Sequence, residues 1–286
     1  MSELIVQENG VVARAELDVQ ISTAKAYPRN VEQSIKNAVM MATLDEETAQ
    51  SCFYALPRKD KDGNKIEIKG PSVRLAEIVA SSWGNLHAAT RIVEVSEKHI
   101  TTEGVAWDLE TNVRITMPNK VSIWFGEKNG KGGYRANADM QTMLTNASSA
   151  KALRNAIFKV IPKALVDSVY KKALEHSVGD VKTLASKVTK VVDRLVKMGV
   201  RKDELLEYFG HANFGDFTVD DLQSLMGMGT ALKEGMLKPE EIFSNEKDDS
   251  ESASDKINEL IASKGKPKPE ESINAKTGEV DEDLPY

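Results

Sequence analysis

The chain has 286 residues with a formal net charge of −6, and 41% of its residues are hydrophobic, enough for one large domain or a medium domain plus a small one with a real core. Cys52 is the only cysteine, which rules out an intrachain disulfide framework and argues against a cysteine-based zinc site. The opening residues Met1–Gln7 carry no basic segment followed by an apolar run, and no apolar stretch reaches the ~20 residues of a membrane span, so we expect a cytoplasmic protein without a signal peptide (the bacterial host cytoplasm, if phage-encoded).

Along the chain we expect four parts. These are an N-terminal lead over 1–27, an α+β core over 28–176, a small helical domain over 177–243 and a tail over 244–286. In the core, Arg29 to Leu44 has Val31, Ile35, Ala38, Val39 and Ala42 at helical spacing. Ser51 to Leu56 reads as a short strand. Lys59-Asp-Lys-Asp-Gly-Asn is turn chemistry, and the alternating Lys65-Ile-Glu-Ile-Lys after it completes a hairpin. Pro71 suits the first position of a helix, because its missing N–H would be unpaired there; that helix runs through Trp83 and ends at Gly84. Leu86–Val95, His99–Glu110 and Val113–Phe125 are rich in β-branched and aromatic residues and joined by short turns, which predicts an antiparallel meander. Pro118 predicts an edge or a bulge in the third strand. Long helices follow from about Ala138, with a break at Pro162 and a second helix over Lys163 to His176.

Beyond it, Val181–Met198, Lys202–Phe209 and Thr218–Leu225 read as short helices, and Ser, Lys, Pro, Glu and Asp dominate after Phe243, which predicts disorder. The fold class expected is therefore α+β: an antiparallel meander sheet packed with long helices, then a small helical unit and a disordered acidic tail.

Charge is unevenly placed. Residues 244–286 hold twelve acids against six lysines, whereas 120–172 hold ten basic residues against three acids. A basic middle and an acidic end suggest two different jobs. The basic stretch begins in a glycine-rich loop with Lys128, Lys131, Tyr134 and Arg135, and continues on the following helix with Lys151, Arg154, Lys159 and Lys163. At 100° per residue, Lys151, Arg154 and Lys159 fall on one broad face opposite Leu153, Ile157 and Val160, so the helix can pack on a sheet and hold out cations. A phosphate backbone is bound by such a row through counterion release, and Tyr134 offers a stacking face for an unpaired base. Arg74, on the polar face of the Pro71 helix, is a further candidate for the same groove. The competing reading is an ordinary solvated helix face beside a loop.

The last residues, Asp281-Glu-Asp-Leu-Pro-Tyr286, combine acids, an aliphatic, a proline and a terminal aromatic. This resembles the tip of bacterial single-stranded DNA-binding proteins (SSB), which implies a partner-binding segment formed by Asp281, Glu282, Asp283, Leu284, Pro285 and Tyr286. Tyr286 stands where that family has phenylalanine.

The order of elements, with Pro71-Ser-Val-Arg-Leu-Ala-Glu before the meander and Ala150-Lys-Ala-Leu-Arg-Asn-Ala-Ile-Phe-Lys-Val-Ile-Pro after it, resembles phage single-strand annealing and recombination proteins, the grouping of RecT, lambda Red beta and Erf. The resemblance covers Arg29 to His176. It implies a homo-oligomer (ring or filament) that binds single-stranded DNA and anneals complementary strands without ATP or metal in homologous recombination. A replication or recombination protein would be held through the C-terminal tip.

The alternatives are a protective replication-type single-strand binder and a phage assembly or adaptor protein that does not bind DNA. Enzyme chemistry finds no support in the sequence. Gly130-Lys-Gly-Gly lacks P-loop spacing, the four histidines are scattered, and neither a catalytic set nor a cofactor or metal motif stands out.

Overall fold

A computed structural model of the chain describes residues 2–59, 65–126, 132–179, 183–237 and 239. The expected α+β class is what it shows. The N-terminal lead is a helix, α1 (Ser2–Ala26). Helix α2 (Val31–Ala42) starts where the Asn30 side chain accepts the Gln33 N–H, and a short α3 (Glu46–Ser51) is capped in the same way by Asp45. Strands β1 (Phe53–Lys59) and β2 (Lys65–Pro71) pair as an antiparallel hairpin.

Pro71 closes β2 opposite Phe53 instead of opening the next helix. The neighbouring serine caps that helix. Ser72 Oγ accepts the Leu75 N–H at 3.3 Å, so α4 (Val73–Trp83) begins later than a proline at the first helical position would place it. Gly84, at φ 67°, ends α4.

The meander is β3 (Leu86–Val95), β4 (His99–Asp108) and β5 (Val113–Ser122), antiparallel in the order β3-β4-β5. Pro118 therefore sits on an edge strand; the register shift is in β3, between Ile92 and Glu94. The last stretch expected in the meander separates as β6 (Trp124–Phe125), which pairs with β7 (Tyr134–Arg135). Pro162 breaks the following helices into α5 (Ala138–Val160) and α6 (Lys163–Val178), with Ile161 extended, as a residue before proline prefers. Then come α7 (Leu184–Lys197), α8 (Lys202–Phe209) and α9 (Val219–Lys233), the last opened by a Thr218–Asp221 capping box. The expected disordered tail lies outside the described residues.

Helix α5 covers one face of the meander, and the contact is close because Gly104 has no side chain. A Cβ there would collide with the Ala152 backbone. Thr102 and Ser148 share a 2.7 Å hydrogen bond across the same junction, and Asn119 donates to Ser148 at 2.7 Å. One core joins Ala38, Leu75, Val79, Ala106, Ile157 and Val169 from α2, α4, β4, α5 and α6. A second joins Phe53, Ala55 and Leu56 of β1 to Val191, Leu195, Leu205, Leu222 and Leu225 of α7–α9. The helices after 177 thus share a core with the β1–β2 hairpin, and the expected boundary at 176/177 does not separate two cores.

The start of α2, the end of α4 and the end of β4 meet at Arg29. Its side chain, 6% exposed, reaches Asp108 through both terminal nitrogens at 2.7 and 2.5 Å and Glu110 through Nε at 2.8 Å, and it lies 4.3 Å from the Trp83 ring centroid. Asp108 also accepts the Trp83 indole N–H at 3.1 Å and the Glu110 N–H at 3.0 Å. The Glu110 carboxyl is held below its ordinary pKa: burial opposes this, but hydrogen bonds from Asn85 and Arg29 and the Arg29 charge outweigh it.

Two outcomes are expected. Truncating a buried ion-pair partner strands the other charge, so Arg29→Ala should cost about 3–5 kcal/mol in urea unfolding, against less than about 0.5 kcal/mol for Lys36→Ala on the exposed face of α2. Cys52 is fully buried and burial pushes its thiol pKa up to about 12, so alkylation at neutral pH should track global unfolding and be negligible in the native state.

Candidate nucleic-acid interface

The β6–β7 ladder sets Trp124 opposite Arg135 and Phe125 opposite Tyr134, at the head of α5. Asn137 caps α5 by accepting the Met140 N–H at 2.8 Å, which fixes where the ladder stops and the helix starts. Tyr134 is 63% exposed, with its ring 6.3 Å from that of Phe125, and Arg135 is also open to solvent. Lys98, from the β3–β4 turn, places its ammonium 5.3 Å from the Trp124 ring centroid. The Trp124 indole nitrogen is buried with no hydrogen-bond partner among the described residues, pressed against Gly133 at φ 100°, where a Cβ could not fit.

The result is an exposed aromatic flanked by cations. Lys98 is not among the residues that the sequence singles out, because only the register of the meander brings the turn before β4 beside Trp124. Lys128 and Lys131 lie outside the described residues, as does the tip Asp281, Glu282, Asp283, Leu284, Pro285 and Tyr286.

Along α5, Lys151 and Lys159 are exposed with half-buried Asn155 between them, as the helical spacing predicts. Arg154 departs from that row. It is 8% exposed, its guanidinium sits 5.0 Å from the Tyr54 ring centroid, and its hydrogen bonds go to Asn155 Oδ1 at 3.3 Å. The reason is that α5 is packed on two sides, by the meander and by α4, so its open window is narrower than an amphipathic helix lying on one sheet would have. Lys163 and Arg74 are exposed, but each is paired within its own helix, Lys163 with Asp167 and Arg74 with Glu77, both at 2.6 Å.

Arg74 and Arg154 nevertheless act on one group, Glu234 at the end of α9. Burial raises the Glu234 carboxyl to about 7, against the pull of Arg154, Arg74 and the Val73 N–H, with Glu77 adding a small push upward. Glu77, Glu103 and Asp108 are tied to three separate cations, Arg74, Arg91 and Arg29, and do not converge on one point. Among the described residues no group of three His, Cys, Asp or Glu could hold a metal ion. Nor is any described helix long and apolar enough to cross a membrane.

For Glu234 the folded pKa exceeds the unfolded 4.5, so the folded state binds more protons between the two values. The stability it confers is present below 4.5 and lost as pH rises through about 7. Urea unfolding at about pH 5 and about pH 8 should therefore show a decline for the native chain that is smaller in Glu234→Gln. No family model, no curated protein and no solved structure matches this chain.

Proposed function

We propose that this protein binds single-stranded DNA and anneals complementary strands without ATP, acting as an oligomer in recombination and not as an enzyme. The observation that carries the reading is the arrangement at the head of α5. An open tyrosine and arginine stand beside a lysine–tryptophan pair, and Lys151 and Lys159 extend the positive charge down the same helix. At 1.5 Å per residue, α5 runs roughly 32 Å from its first residue, Ala138, to Lys159. A single strand can be followed over that distance by backbone contacts, with Tyr134 stacking on a base without regard to its identity. Contacts of this kind leave base edges free, which pairing with a complement requires. The cation row is narrower than the charge count of the sequence suggests, since Arg154 is buried and Lys163 and Arg74 are paired.

The test is an annealing assay with two complementary fluorescent oligonucleotides, without nucleotide triphosphate, across a salt series. Acceleration that fades with salt is expected. Binding that slows pairing would make the protein a protective single-strand binder, and no binding would leave an assembly or adaptor role. Reversing Lys151 and Lys159 together to glutamate should weaken binding and reduce the slope of log affinity against log salt by about 1.4, at roughly 0.7 per lost phosphate contact, while the unfolding midpoint holds. A folded double variant with unchanged affinity and slope would remove α5 from the interface.

A further inference from the structure

The meander has a second face, turned away from α5. In β4, Ile100, Thr102, Gly104 and Ala106 serve the α5 side, so alternation puts Thr101, Glu103, Val105 and Trp107 on the other. The register then builds rows across three strands. His87, Trp107 and Arg114 stand directly opposite one another, Ala89 and Val105 form the next row, and Arg91 and Glu103 the one after.

Large side chains thus border a floor of small ones. Helix α1 lies over this floor, with Leu17 against it and Gln20 Oε1 at 3.1 Å from His87 Nδ1. The space enclosed is a groove of about 470 Å³, within the range of small-ligand sites.

The chemistry of the walls is specific. Trp107 is partly exposed, and its ring is oriented by a 3.1 Å hydrogen bond from Nε1 to Asn112 Oδ1. Arg114 is exposed and has no ion pair among the described residues. Arg91 holds Glu103 at 2.6 Å yet keeps 63% of its side chain exposed, whereas the glutamate keeps 12%. Among the described residues, no acid lines the groove. An occupant must bring a flat apolar part to lie along an indole and over Ala89 and Val105, together with negative charge for Arg114, beside which the exposed edge of Arg91 stands. A nucleotide has both parts in one unit. A polypeptide segment would have to leave Arg114 unmatched or carry an acid beside an aromatic.

We infer that the groove between α1 and the outer face of the meander is a second single-stranded DNA contact surface, taking a base against Trp107 and its phosphate on Arg114 and Arg91. This rests on the function proposed above and extends it. The groove and the Lys151–Lys159 row lie on opposite faces of one sheet, so two separate strand segments are held, one on each face. Annealing needs two strands on one protein, and this geometry supplies a place for each.

The test uses the full-length chain with oligothymidylate carrying 5-iodouracil, photocrosslinked and mapped by peptide mass spectrometry, together with affinity measurements. Adducts at Trp107 are expected. Arg114→Glu should lower affinity about 5-fold or more, Trp107→Ala should do the same, and the conservative Trp107→Phe should restore affinity to within about twofold of the native chain. Native binding with adducts confined to the Tyr134 region, and unchanged affinity in Arg114→Glu, would overturn the groove and leave the α5 interface standing. If Arg114→Glu alters sedimentation and spares DNA affinity, the groove belongs to a second copy of the chain. No oligonucleotide binding by the native protein would overturn both readings.

Discussion

The buried ion pair between Arg29 and Asp108 is the constraint on which the rest of the core depends. Arg29 stands just before the cap of α2, Asp108 ends β4, and Trp83 ends α4, so one guanidinium ties the start of one helix to the end of a strand and the end of another helix. Each charge would be costly to bury alone, and here each is fully matched: bidentate to the carboxylate, with the remaining carboxylate valence taken by the Trp83 indole and the backbone of the β4–β5 turn. The turn and both helix ends are located by the same few atoms. With them located, the meander presents Gly104 to α5 in the one register that lets the helix approach closely.

That close approach governs the surface chemistry as well. Because α5 lies tight on the sheet and is also covered by α4, few of its positions remain open, and the open ones include two of the lysines. Arg154, outside this window, becomes a buried cation over Tyr54 and one of the charges around Glu234. A charge that reads as interface in one dimension is thus an internal packing element in three. The opposite happens on the far side of the sheet, where Trp107 and Arg114, on either side of the β4–β5 turn, become neighbours through strand pairing.

Element types were legible because they rest on local rules. Alternation and turn residues predict the hairpin and the meander, the Pro162 break falls where a proline must interrupt a helix, and Lys202–Phe209 matches α8 at both ends. Boundaries were missed where two local rules compete. Pro71 satisfies both a strand end and a first helical turn, and the decision went to Ser72, whose hydroxyl oxygen caps α4 while its hydrogen reaches the Ser51 carbonyl at 2.6 Å. The single long third strand was divided because Ile123 turns inward to a small cluster with Ile100 and Ala136, leaving Trp124 and Phe125 to pair with a different segment.

What the sequence by itself determined is the class of the fold, the meander, the placement of excess positive charge after the sheet and the lack of a cysteine framework, since each follows from composition or from neighbours along the chain. Tertiary structure decided the rest. Phe53 and Ala55 of the hairpin share a core with α7–α9, which joins what reads as two domains. Packing density selected which cations stay in water, and strand register assembled the His87–Trp107–Arg114 row on the outer face of the meander and the Trp124–Arg135 pair at the head of α5. The physical reason is that burial and register are properties of pairs of residues far apart in sequence, and no periodicity within one element encodes which partner will cover it.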